Sequence, residues 1–250
     1  MTQFMASLHN EGFKLRKRKK YIVFLIIGAL FCAGSGLRVL ITDRLAAASI
    51  SHAAVLGNFV GSNLPFILMI FLPLMAIMAT CDLYVGEQAD HTIRFSLMRP
   101  VGKGKLYFSK AGAAFLLCAV DMAVLFVAAA VTQLVLQGGT RGIAASFLSC
   151  LLDLVPLAVL ILFFSLINQL TKGSGLAVLL CIVLYVGLLA VGTYVPSIGG
   201  LLFTGYLRWH NLWVGTTLPI LSLLPRIGLL AGFGLVFGSL GFWLFDRKEA

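Results

Sequence analysis

The chain has 250 residues, of which 60% are hydrophobic and 11% charged, with a formal net charge of +10. A water-soluble domain carries about 25% charged residues, so this chain cannot clothe a soluble core in polar side chains, and a bilayer is the expected solvent for most of its surface. The positive charge does not point to nucleic acid, because aromatic residues are not interleaved with the basic ones; anionic lipid headgroups account for it better.

Residues 1–20 place Phe4, Met5, Leu8 and Leu15 among polar residues and close on the basic run KLRKRKK. This pattern predicts a short amphipathic helix lying on the inner leaflet. The apolar run that follows is about 20 residues long, against about 7–15 for a signal-peptide core, so it reads as a retained first span. Six runs are long and apolar enough to cross a bilayer, at 21–40, 63–80, 111–136, 144–167, 175–195 and 227–245. With the amino terminus inside, fourteen of the nineteen Lys and Arg fall in inner segments, so both termini and the stretch 85–110 are expected to be cytoplasmic, in a plasma-membrane protein.

Two carboxylates, Asp121 and Asp153, fall within predicted spans, where a charge costs about 2.5–3.5 kcal/mol on insertion scales. Counted from the span ends, both belong to the middle or outer half of the bilayer. Ser146, Ser149 and Asp153 share one helical face, as do Asp121 and Thr132. These faces are candidates for a substrate path; interhelical hydrogen bonding is the alternative, and no basic partner is visible at comparable depth. The outer segment 196–226 is too apolar for an exposed loop, with Leu201, Phe203, Tyr206, Trp209 and Trp213, and is expected to fold back as short helices before the sixth span. In that last span Gly228 and Gly232, and Gly234 and Gly238, are spaced for close helix approach, within the bundle or in a dimer.

Five scattered cysteines and four scattered histidines suggest neither a disulfide framework nor a metal site. The sequence Gly102-Lys103-Gly104-Lys105 lacks the spacing of a phosphate-binding loop, and no HExxH or GxSxG occurs, so catalysis is not expected of this chain.

The dense polar insert is VGEQADHTIRFSLMRPVGKGKLYFSK, at 85–110. It is longer than a helix–helix connection needs, and Ile93, Phe95, Leu97 and Met98 sit among both signs of charge, as in an amphipathic helix gripped by a cytoplasmic partner. Its residues resemble the permeases of ABC type-2 exporters, whose loop between the second and third spans typically reads Glu-x-x-x-Gly-Thr, a leucine-bearing helix, Pro-x-x-Arg, then a Lys opening the third span. The matching positions are Glu87, Thr92, Leu97, Pro100, Lys103 and Lys110; His91 stands where the family has Gly, and Lys103 where it has Arg. The resemblance implies an all-α polytopic fold with six spans, a coupling helix near 87–97, a dimer of cytoplasmic ATPase subunits that hold ATP and Mg, and a second permease chain, with no cofactor on this chain. Glu87, Thr92, Arg94, Phe95, Leu97, Arg99, Pro100 and Lys103 are then the ATPase-coupling residues, with Glu87, Arg94 and Arg99 pairing at the rim of an ATPase groove. Asp121, Asp153 and Ser149 are the candidate substrate path. Small permeases of this length resemble those that export, or give immunity to, peptide antibiotics, lantibiotics or bacitracin-type drugs. Two other classes remain open: an ion- or proton-coupled secondary transporter using Asp121 and Asp153, and a non-transporting membrane immunity or scaffold protein.

Overall fold

A computed structural model of the chain describes residues 3–45, 59–87, 102–137, 139–140, 142–213 and 220–247. Among them the regular structure is helical, with no strand. Helix α1 is Gln3–Lys17 and α2 is Lys19–Leu45. Helix α3, Phe59–Gly86, is interrupted by two π-helical turns, Ile67–Phe71 and Asp82–Gly86. Helices α4 (Lys103–Gln137), α5 (Ile143–Leu170) and α6 (Ser174–Tyr194) follow. A folded-back segment then holds a one-turn helix, Pro196–Gly199, and two 3₁₀ turns, Phe203–Tyr206 and Trp209–Leu212. Helix α7, Ile220–Arg247, completes the bundle. Six of these helices, α2 to α7, are long and apolar enough to cross a bilayer, which makes the chain an all-α polytopic membrane protein.

The core lies between α3, α4 and α5. Leu72, Met75, Ala76, Leu125, Leu160 and Phe164 are all buried there. Spans α2, α6 and α7 turn most of their surface outward, with Ile22, Leu30, Leu179 and Leu235 exposed, as lipid-facing helices should. Helix α4 is 35 residues long, about 52 Å at 1.5 Å per residue, well beyond a hydrocarbon core of about 30 Å. Its first turns are covered by α1. Contacts climb both helices together: Lys105 Nζ donates to Gln3 Oε1 at 3.3 Å, and the Ser7 and Ser109 hydroxyls meet at 2.8 Å. We call this end, which also carries Glu87, Lys103 and Arg247, the basic end.

Backbone exceptions have local causes. Pro73 has no N–H for the Met69 carbonyl one turn back, and the Tyr185 hydroxyl of α6 donates to that oxygen at 2.7 Å instead. The α4–α5 turn closes on Gly142 at φ 81°, a left-handed conformation that costs glycine nothing sterically. A side chain at Gly241 would collide with the Tyr107 hydroxyl, so this glycine lets Tyr107 lie between α4 and α7. The two glycine pairs of the last span separate: Gly234 and Gly238 pack toward Val159 and Leu162 of α5, whereas Gly228 and Gly232 have open space beside them.

Candidate functional site

Among the described residues, the buried carboxylates of the bundle fall in three polar assemblies. The largest is at the basic end, where α3 stops. Glu87 is buried and splits its carboxylate between two cations: Lys14 of α1 binds Oε1 at 2.7 Å, and Lys110 of α4 binds Oε2 at 2.6 Å. Glu11 closes the ring, 2.9 Å from Lys14 and 3.5 Å from Lys110. Lys110 has a side-chain exposure of 0%, yet its ammonium is satisfied, because it also donates to the Leu83 carbonyl at 2.8 Å. Leu83 lies in the closing turn of α3, where carbonyls lack helical partners and the helix dipole favours a cation. The ring holds two acidic and two basic residues, so its formal charge is balanced. Burial pushes the Glu87 carboxyl up, but Lys110 and then Lys14 outweigh it and hold it below its ordinary 4.5. Burial likewise lowers the Lys14 ammonium, and hydrogen bonds to Glu87 and Glu11 outweigh that and hold it above its ordinary 10.5.

Beside the ring, Asp82 gathers Arg18 at 3.0 Å, Lys20 at 2.6 Å and the Tyr21 hydroxyl. The basic run after α1 is thus folded back on α3. Lys103, at the start of α4, is exposed and reaches Asp246 at the end of α7, 3.2 Å from its carboxylate.

The second assembly is at the opposite end. Asp153 of α5 is fully buried; its Oδ2 lies 2.6 Å from His210 Nδ1, and its Oδ1 accepts the His210 backbone N–H at 2.8 Å. His210 reaches it because the segment after α6 folds into the bundle. There Phe203 packs on Phe163, Phe233 and Phe237 with ring centroids 5.0, 5.6 and 5.3 Å apart. Ser149 and Ser146 are buried on the same face of α5, and the Ser149 hydroxyl donates to its own helix at Ala145.

The third is a lateral cleft of about 530 Å³ between α1, α2 and α4, lined by Gly12, Arg16, Tyr21, Ile22, Leu116 and Asp121 among others. Asp121 is 2% exposed, and its Oδ2 has no hydrogen-bond partner among the described residues.

Several expectations change. Glu87, expected at the rim of an ATPase groove, is instead buried inside the chain, because Lys14 and Lys110 converge on it from two helices. Asp121 lies midway along α4, 18 residues on from Lys103, and shares the lateral cleft with Tyr21 and Leu25. Helix α4 begins at Lys103, eight residues ahead of the predicted span. Asp153 has the partner that the linear sequence hid. Thr92, Arg94, Phe95, Leu97, Arg99 and Pro100 lie outside the described residues. Glu11, Lys14, Asp82 and His210 were not anticipated; a Glu and a Lys three apart on an amphipathic face was the one available signal, and it reads equally as a solvated pair.

The fold and its charged basic end define a helical membrane subunit whose polar insert joins α3 to α4. The family model of the ABC-2 family transporter proteins matches residues 7–188, from α1 into α6, and the chain belongs to that family. No curated protein matches the chain. Proteins of this family are membrane components of transporter complexes, which establishes the ABC type-2 permease resemblance carried by Glu87, Pro100 and Lys110.

Proposed function

We propose that the chain is the permease subunit of an ATP-driven exporter in the plasma membrane, with both termini cytoplasmic. It is driven by a dimer of ABC ATPase subunits that hold ATP and Mg, and paired with a second permease chain. The observation that carries this reading is the buried ring Glu11–Lys14–Glu87–Lys110. The insert leaves α3 at Glu87 and re-enters at Lys103, and Glu87 is ion-paired to both α1 and α4. A displacement of the insert by an ATPase therefore acts on three helices at once. Removing one partner of a buried pair costs about 3–5 kcal/mol, so the ring transmits movement rather than yielding to it. The outward Gly228–Gly232 face supports a second permease chain against α7. The substrate we assign is an amphipathic compound of the peptide-antibiotic or drug type, from the family resemblance.

Pull-down of the tagged chain from its native membrane should recover an ABC ATPase. Phe95→Ala and Leu97→Ala should lose it more than Arg99→Ala, since buried anchors carry most of a helix-in-groove contact. Recovery of the chain without any ABC ATPase overturns the reading. A membrane-impermeant thiol reagent added outside should label Thr140→Cys and miss Gly104→Cys; the reverse pattern overturns the orientation.

A further inference from the structure

The lateral cleft has a construction that packing of the bundle does not account for. Its mouth is rimmed by Ile22, Leu116 and Val120, which are 55%, 48% and 58% exposed, so it opens sideways onto lipid and not into the bundle. Its wall is almost wholly apolar. Against that wall stands Asp121, buried, with Oδ2 lacking any hydrogen-bond partner among the described residues. Arg16 is exposed and lines the same cleft. A second hollow of about 560 Å³, reaching Met5, Leu8 and Phe13, shares Gly12, Arg16 and Leu116 with the first, so apolar space continues along α1.

Each part selects for something. A buried acceptor without a donor is costly, and a ligand that brings an N–H removes that cost. The carboxylate in low-dielectric surroundings prefers that donor to be cationic. The apolar walls and the opening to lipid exclude a small hydrophilic cation and admit one with an alkyl or aromatic tail. Arg16 is exposed at the cleft, where a guanidinium is free to pair with lipid phosphates and leave Asp121 to the ligand. We infer that this cleft is a binding site for a cationic amphiphile, a protonated amine with an apolar tail, taken laterally from the leaflet on the basic side, with Asp121 as the residue that binds the ammonium. The inference deepens the exporter reading by naming a substrate class, and its test needs neither ATPase nor transport.

Gly12→Cys places a thiol at the cleft where a side chain has open space, and the five native cysteines are buried. In phosphatidylcholine nanodiscs, dodecylammonium at about ten times its dissociation constant should slow maleimide labelling of Gly12→Cys about tenfold, from simple occupancy. Dodecanol, with the same chain and no charge, should not. Adding Asp121→Asn should abolish the protection, and Asp121→Glu should restore part of it. Equal protection by dodecanol, better protection by dodecyl phosphate, or protection retained in Asp121→Asn would overturn the assignment. So would protection by phosphatidylethanolamine alone, which would make the occupant a bilayer lipid. The comparison of probes on the Asp121 protein stands whether or not Asp121→Asn folds. Loss of ATPase recovery with protection intact would break the exporter reading and leave this site standing.

Discussion

The two ends of the bundle solve the problem of buried charge differently. At the basic end two acids and two bases from α1, α3 and α4 neutralise one another, with a helix-end carbonyl as a fifth partner. At the opposite end one carboxylate, Asp153, is met by a backbone N–H and one histidine from a folded-back segment. The ring joins three helices, so its loss is a loss of tertiary arrangement. The Asp153–His210 contact joins one helix to one short segment, and the rings around Phe203 hold that segment as well. The lesson is that shared partners, more than burial as such, decide how much of the molecule a charged residue controls.

Lys110→Met should break this comparison most directly. It leaves Glu87 and Glu11 to share Lys14 alone, and should destabilise the protein by about 3–5 kcal/mol, read as thermal unfolding in detergent. Combining it with Glu87→Gln should recover much of the loss; simple additivity would mean that the pair does not act as a unit. His210→Ala comes next, at about 1–3 kcal/mol, since Asp153 then loses its side-chain partner. Its signature should be local, as faster proteolysis within residues 200–213. If it unfolds the protein as thoroughly as Lys110→Met, the contrast between the ends is wrong.

Acid sharpens the same contrast. The Glu87 carboxyl is lowered in the folded protein, so its stabilisation is complete above the ordinary 4.5 and is lost as pH falls below that value. Lys14 is raised, so its share is complete below 10.5 and is lost as pH rises beyond it. Unfolding temperature should therefore fall on the acid side in the parent and more gently in Glu87→Gln. An identical acid limb in both would remove Glu87 as its cause. The smallest effect is expected from Asp82→Asn, under about 1 kcal/mol, because Arg18 and Lys20 are more than two-fifths exposed and water screens them.

Much of the fold was legible because a bilayer makes hydropathy nearly decisive: a run of about 20 apolar residues has few alternatives to a spanning helix. The family was legible in the insert, through Glu87, Pro100 and Lys110. The partners of the charged residues were not. Glu87 finds Lys14 across 73 positions and Asp153 finds His210 across 57, and nothing in local spacing announces either meeting. The start of α4 was misread for a related reason: hydropathy marks where a helix turns apolar, not where it starts, and α4 begins at Lys103, ahead of the apolar run.

By itself, then, the sequence determined that the chain spans a membrane six times as helices, because so apolar a composition leaves the backbone no other way to satisfy its hydrogen bonds in lipid. It determined too which insert stands apart as polar. Only the tertiary structure decided that Glu87 faces inward to Lys14 and Lys110, that Asp153 is closed by His210, and that Asp121 stands buried in the wall of a lateral cleft. Those outcomes depend on which helix faces come together, and electrostatic partners at a few ångströms are fixed by packing across the chain rather than by the order of residues along it.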